Sequence, residues 1–145
     1  MMNIEATRVS EVMTRDVATL GTNDRLITAD DVMRLGRIRH LPIVDGDGAL
    51  VGIISQRDLF HSGLVRALGY GKAEQRNALD MIAIDWAMTS DVLTIAPDAL
   101  ITSAAALMIE REVGCLVVTE NQKLVGILTE SDFLKLFTES QKVLT

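Results

Sequence analysis

One feature limits the possible folds more than any other: the chain states the same pattern twice. Near its start it reads Met13-Thr14-Arg15-Asp16-Val17-Ala18-Thr19, and later Met88-Thr89-Ser90-Asp91-Val92-Leu93-Thr94. A second marker, Leu50-Val51-Gly52-Ile53-Ile54-Ser55-Gln56-Arg57-Asp58, returns as Leu124-Val125-Gly126-Ile127-Leu128-Thr129-Glu130-Ser131-Asp132. The first pair is offset by 75 positions (88 − 13) and the second by 74 (132 − 58), which fits a turn one residue shorter in the second copy. Where the residue is lost stays open, because Leu26-Ile27-Thr28 and Leu100-Ile101-Thr102 match best at 74. A fixed internal period is the mark of a fold built by stacking like units.

Each copy reads as strand, helix, strand, strand, helix. Val17 to Leu20 and Val92 to Ile95 are short β-rich runs. Asn23 or Asp24, and Asp98 after Pro97, are expected as N-caps of the helices that follow. Leu26, Ala29 and Met33 fall on one helical face in the first copy, and Leu100, Ala104, Leu107 and Met108 in the second. Gly36 is expected to close the first helix. Two apolar runs follow, His40 to Val44 and Leu50 to Ser55, joined by Asp45-Gly46-Asp47-Gly48, whose Asp-Gly pairs supply the positive φ of a tight hairpin. The second copy has Glu120-Asn121-Gln122-Lys123 there. The last helix of each copy begins after Ser55 and Thr129. A β-α-β-β-α unit of this size cannot cover both faces of its sheet, so the expected fold is α/β (α+β), with the two copies packed through their sheets into one pseudo-two-fold module. Between them lies a linker, 61–83, partly helical. Phe60 to Leu68 should extend the preceding helix, Gly69-Tyr70-Gly71 should break it, and Ala78 to Ile82 reads as helical again.

Composition sets the class. With 48% hydrophobic and 23% charged residues the chain is globular rather than disordered. Aromatics are only 3%, so Val, Ile, Leu, Met and Ala must build the core. A net charge of −6 disfavours non-specific nucleic-acid binding, which needs a basic surface. The single cysteine, Cys115, excludes an intramolecular disulfide and fits a reducing compartment. The start of the chain lacks the basic and apolar runs of a signal peptide, and Ala99 to Ile109, the longest uncharged helical stretch, is too short for a bilayer. The expectation is a cytoplasmic protein with no membrane and no nucleic-acid partner.

These motifs resemble the CBS domain family, named after cystathionine β-synthase: the opening Met-Thr, the His40-Leu41-Pro42-Ile43-Val44 strand, and Gly-apolar-apolar-Ser/Thr-x-x-Asp before the last helix. The resemblance covers a first repeat at 9–60 and a second at 84–137. It implies a regulatory, non-enzymatic module that binds AMP, ADP, ATP or S-adenosylmethionine in clefts between repeats and acts on a partner protein. Carried over residue by residue, it implies two crossed sites. One combines Thr19, Arg39, His40 and Pro42 with Thr129 and Asp132; the other combines Thr94, Gly114 and Cys115 with Ser55, Arg57 and Asp58. Cys115-Leu116-Val117-Val118-Thr119 departs from the His-Leu-Pro-Ile-Val pattern, which bears on ligand identity.

Each candidate also has a plainer reading. Ser55-x-x-Asp58 is a helix capping box, although a helix start with free N–H groups is equally an anion site and a carboxylate one turn in can take both ribose hydroxyls. Arg57 is either a solvated helix residue or the phosphate contact that makes its pocket the better one. Cys115 reads as an inert buried thiol. Trp86, Met81 and Met88 are expected in the core or at a subunit contact, and Tyr70 as a loop aromatic. His40 and His61, with one cysteine, give no zinc spacing, and no nucleophile–base pair or phosphate loop supports hydrolysis, so no catalytic cofactor or metal is expected. Leu59, Leu64 and Leu68 form an apolar helix face that suggests a homodimer. The rival reading is an interaction scaffold with vestigial pockets.

Overall fold

The computed structural model describes the backbone of residues 3–61 and 72–144 and the side chains of 3–59 and 76–139. A 3-10 turn at Ile4–Ala6 is followed in order by α1 (Val9–Val12), β1 (Leu20–Gly21), α2 (Leu26–Gly36), β2 (His40–Val44), β3 (Leu50–Ser55) and α3 (Gln56–His61). Then come α4 (Lys72–Met81), α5 (Ile84–Ala87), β4 (Thr94–Ile95), α6 (Ile101–Arg111), β5 (Cys115–Glu120), β6 (Lys123–Thr129) and α7 (Glu130–Leu144). The expected extension of α3 to Leu68, the break at 69–71 and Tyr70 lie outside the described residues.

The chain forms two compact units, 18–92 and 1–17 with 93–145. Each contains a three-stranded sheet, ordered β1-β2-β3 in one and β4-β5-β6 in the other, with the first pair parallel and the second antiparallel. Unit 18–92 is built around Leu26, Ala29, Met33, Leu41, Ile43, Ile54 and Ile84. The other is built around Val9, Met13, Ile101, Ala104, Met108, Leu116, Val118, Leu128 and Leu136. As the low aromatic content requires, both cores are aliphatic.

Each sheet is finished by a segment distant in sequence. Thr14 and Ile127 exchange backbone hydrogen bonds of 2.9 Å in both directions, and Thr89 and Ile53 do the same. Met13 and Met88 then lie against glycines: a Cβ on Gly126 would sit 2.5 Å from Met13 Sδ, and one on Gly52 would sit 2.5 Å from Met88 Sδ. Only a residue without a side chain admits the sulfur here.

The same distant segments explain why the expected helix caps do not form. Arg25 and Leu100 occupy the N-cap positions without a side-chain cap. The first helical N–H groups find carbonyls instead: Leu26 N–H donates to Ile82 (2.9 Å) and Ile101 N–H to Thr7 (2.9 Å). Asp24 instead accepts from the Gly21 N–H (2.7 Å), so neither it nor Asn23 or Asp98 caps. Gly36 stays inside α2; the left-handed residue is Arg37 (φ 54°), with Glu112 (φ 55°) its counterpart. Ile38 N–H returns to Met33 as in a Schellman end, and burying Ile38 against the core sets that phase. β1 and β4 are shorter than the β-rich runs, since Val17 N–H turns back to Arg15 rather than joining a ladder.

The hairpins place the missing residue. Val44 pairs with Leu50 and Thr119 with Leu124, so the offset is 75 before the turn and 74 after it. The longer turn uses Gly48 (φ 82°) and the shorter one Asn121 and Gln122 (φ 53° and 67°), the positive pair of a type I′ turn. The Leu-Ile-Thr match at 74 is therefore a coincidence of letters: the buried residues Leu26, Ala29 and Met33 correspond to Ile101, Ala104 and Met108 at 75.

The linker helix α4 docks on α2, where Arg76 reaches Asp31 (3.1 Å) and Asp30 (3.6 Å) while Leu79 packs on the core. Met81 and Trp86 are not in the core of their unit, being 80% and 78% exposed, because α5 turns Ile84 inward instead. Met88 and Leu59 are both half-buried against that core. Leu59 is thus covered within its own unit; Leu64 and Leu68 lie outside the described residues.

Candidate functional site

The strand–helix corners after β3 and β6 hold the carboxylates. In the first, Ser55 N–H donates to Asp58 Oδ2 (2.7 Å) and Asp58 N–H donates to Ser55 Oγ (3.1 Å), a reciprocal capping box. The next orphan donor of α3, Gln56 N–H, finds the Arg39 carbonyl (2.8 Å), and His40 pairs across the ladder with Ser55. The structure therefore brings Arg39, His40, Ser55 and Asp58 together in one unit. Pro42 is buried on the same strand, and Thr19 is exposed just before β1. Arg57 is exposed at the second position of α3.

The second corner repeats this frame. Thr129 N–H donates to Asp132 Oδ2 (2.9 Å), Glu130 N–H donates to the Gly114 carbonyl (3.3 Å), and Cys115 pairs with Thr129. Thr94 is exposed and pairs with Val117. The sites implied by the resemblance draw on both units: Thr19, Arg39, His40, Pro42, Ser55, Arg57 and Asp58 belong to 18–92, and Thr94, Gly114, Cys115, Thr129 and Asp132 to the other.

The corners differ in charge and access. Asp132 is 5% exposed and its Oδ1 also accepts the Thr14 hydroxyl (3.0 Å), whereas Asp58 is half-buried. Each Asp132 oxygen still has a second lone pair, so neither bond exhausts it. Burial, and secondarily the charge of Asp132, push the Cys115 thiol up to about 12, which leaves it protonated and inert.

A cleft of about 180 Å³ opens beside Asp132, lined by Thr7, Glu11, Val12, Lys135 and Glu139 among others. Neither this wall nor the role of Thr14 was readable from the sequence, where Met13-Thr14 serves only as a repeat marker. The partner of Thr14 is 118 residues away. Among the described residues, no group of three or more His, Cys, Asp or Glu is placed to hold a metal ion, and no helix is long and apolar enough to cross a membrane.

Two like units, each with a carboxylate clamped at a helix start, make this a paired-repeat protein. The chain belongs to the CBS domain family, whose sequence profile matches residues 9–64 and again 82–139. It is 34% identical over 131 residues to a homoserine O-acetyltransferase of Methanococcoides burtonii, covering 90% of this chain but only 24% of that protein's length. Among solved structures it is similar to the Vibrio cholerae chain assigned as the acetoin utilization protein AcuB (TM-score 0.79, 33% identity, 95% of both chains). It is also similar to the CBS domain pair of protein MJ0100 in complex with 5′-methylthioadenosine and S-adenosyl-L-methionine (TM-score 0.75, 28% identity, 93% of this chain and 98% of that one). Both molecules bound to that pair are adenosine derivatives.

Proposed function

We propose that this chain is a cytoplasmic regulatory module that senses an adenine nucleotide (AMP, ADP or ATP) and passes its ligand state to a partner protein. The observation that carries the reading is the clamped carboxylate at both corners, Asp58 and Asp132, each fixed by a backbone N–H three residues earlier. A carboxylate so oriented can accept both hydroxyls of a ribose without losing its cap. Ser55, Arg57 and Asp58 form the ribose and phosphate side of one pocket, and Thr129 and Asp132 the ribose side of the other. Thr19, Arg39, His40 and Pro42, and Thr94, Gly114 and Cys115, supply strand backbone for the adenine edge. The Asp58 pocket is the better one for phosphorylated ligands, because Arg57 stands where the other corner has Ser131. Signalling requires that the ligand bind one shape of the module better than another.

A thermal-shift screen with AMP, ADP, ATP, S-adenosylmethionine and NADH tests this. A ligand at about a hundred times its Kd adds about 2.7 kcal/mol to folded-state stability, a shift of several degrees. Calorimetry on Asp58→Ala and Asp132→Ala then assigns the pocket: Asp58→Ala should weaken every adenosine ligand and Arg57→Ala only phosphorylated ones. If Asp132→Ala abolishes nucleotide binding while Asp58→Ala spares it, the pocket is wrongly assigned. If no ligand binds, the module is an interaction scaffold instead.

A further inference from the structure

α1 and α5 are the same element in the two repeats. Val9 N–H donates to the Ala99 carbonyl and Ile84 N–H to the Asp24 carbonyl, each at 2.8 Å, and both donors and acceptors are offset by 75 (84 − 9 and 99 − 24). Glu11 and Trp86 are therefore equivalent positions (86 − 11 = 75), and they behave in opposite ways. Glu11 turns back on its own helix, where its Oε2 accepts the Arg8 N–H (2.6 Å). An indole carries a donor and no acceptor, so Trp86 cannot do the same for Ala83, and α5 starts without a side-chain cap. This repeat gives up a helix cap and shows the chain's only tryptophan to solvent instead. The same holds one turn earlier, where exposed Met81 stands in the place of Ala6 (81 − 6 = 75). Asp80 and Asp85, each next to one of the two apolar side chains, are exposed as well, while Arg76 of α4 is engaged by Asp30 and Asp31.

We infer that the corner between α4 and α5 is a docking surface for a partner protein, and that it takes a segment carrying Arg or Lys beside an apolar side chain. Met81 and Trp86 supply the apolar contact, and the indole face attracts a guanidinium or ammonium. Asp80 and Asp85 supply the opposite charge at the rim, which steers a basic segment in and turns an anionic membrane or a nucleic acid away. A second copy of this chain does not fit: a two-fold contact sets the same patch against itself, and with it Asp80 and Asp85 against carboxylates. This deepens the reading of the chain as a module that acts on a partner, and it does not depend on nucleotide binding.

Panning the full chain with a phage-displayed library of random peptides, counter-selected on the Trp86→Glu chain, tests it. That variant copies the equivalent residue Glu11, so its thermal melt should match or exceed that of the wild type. Peptides held by the wild type and lost on the variant should carry Arg or Lys next to Leu, Ile, Met or Phe. Emission from the single tryptophan should shift to the blue as such a peptide is titrated in. By calorimetry Trp86→Glu should weaken it by about thirtyfold or more, as for a central interface aromatic. Asp80→Asn with Asp85→Asn should weaken it by about tenfold, the scale of two exposed ion pairs. Finding no peptide that depends on Trp86, enriching neutral or acidic sequences, or an affinity untouched by the two asparagines overturns the inference. So does light scattering in which Trp86→Glu alone halves the mass, since the patch then joins two copies. If nucleotides bind and no Trp86-dependent peptide is found, this inference falls alone; if such a peptide binds and no nucleotide does, only the nucleotide reading falls.

Discussion

Gly126→Ala tests one of the two tightest glycine sites among the described residues. The new Cβ would lie 2.5 Å from Met13 Sδ, 3.0 Å from Met13 Cγ and 3.0 Å from the Thr14 carbonyl oxygen. Met13 is a flexible side chain, but it is buried in the core and has little room to retreat; the Thr14 oxygen is backbone and retreats only by lengthening its 2.9 Å bridge to Ile127. Overpacking of this kind costs about 1–3 kcal/mol. For a chain of this size each kcal/mol lowers Tm by about 4 °C, so a fall of roughly 4–12 °C is expected in a thermal melt. The clash also predicts a coupling. Met13→Ala alone should cost about 2–5 kcal/mol as a core truncation, yet the double variant should fall short of the sum by about 1 kcal/mol or more, since the truncated side chain no longer meets the new methyl. A Gly126→Ala melt within about 1 °C of wild type, or strict additivity in the double variant, refutes the packing described. Gly52→Ala, facing Met88 at the same distance, should behave alike.

Thr14→Val removes the hydroxyl donor to Asp132 and leaves a buried carboxylate short of a partner, so denaturant melts should show a loss of about 1.5–3 kcal/mol. The Cys115 thiol, held near 12 when folded against 9.0 ordinarily, stays protonated as the unfolded chain loses its proton; stability should therefore fall as pH rises above about 9, and thiol reagents at pH 8 should label it only after denaturation. Leu134 and Phe137 stand out on α7, 67% and 61% exposed; light scattering should give twice the chain mass, as the sequence leads one to expect, and Leu134→Glu with Phe137→Glu should halve it.

The hairpin strands, their turns and the two capped carboxylates were legible because each is a local pattern, whereas the first strand of each copy is shorter than its β-rich run. Alternation, Asp-Gly and Ser-x-x-Asp act over a few residues, and β2, β3 and the starts of α3 and α7 fall where those patterns place them. What the sequence hid is whatever depends on distant partners. Asn23, Asp24 and Asp98 have the chemistry of caps, but the carbonyls of Ile82 and Thr7 do that work from far along the chain. Trp86 looks like a core residue by type and is exposed because Ile84, two places earlier, takes the inward position. In the Asp132 cleft, α1 supplies Glu11 and α7 supplies Lys135 and Glu139, so no spacing in the sequence joins them.

The segment ending at Val17 belongs with 93–145, and 82–92 belongs with the first sheet. This has a consequence for synthesis on the ribosome. The sheet of β1–β3 is complete in sequence once Ser55 has emerged, yet its covering bridge waits for Thr89. Thr14 emerges early, and its partner Ile127 is made 113 residues later (127 − 14). Chains grow at about 5–20 residues per second, so the first segment stays without its site for several seconds. Cutting the chain between the repeats would give two fragments, each bearing the piece the other lacks, and these should regain their folds together more readily than apart.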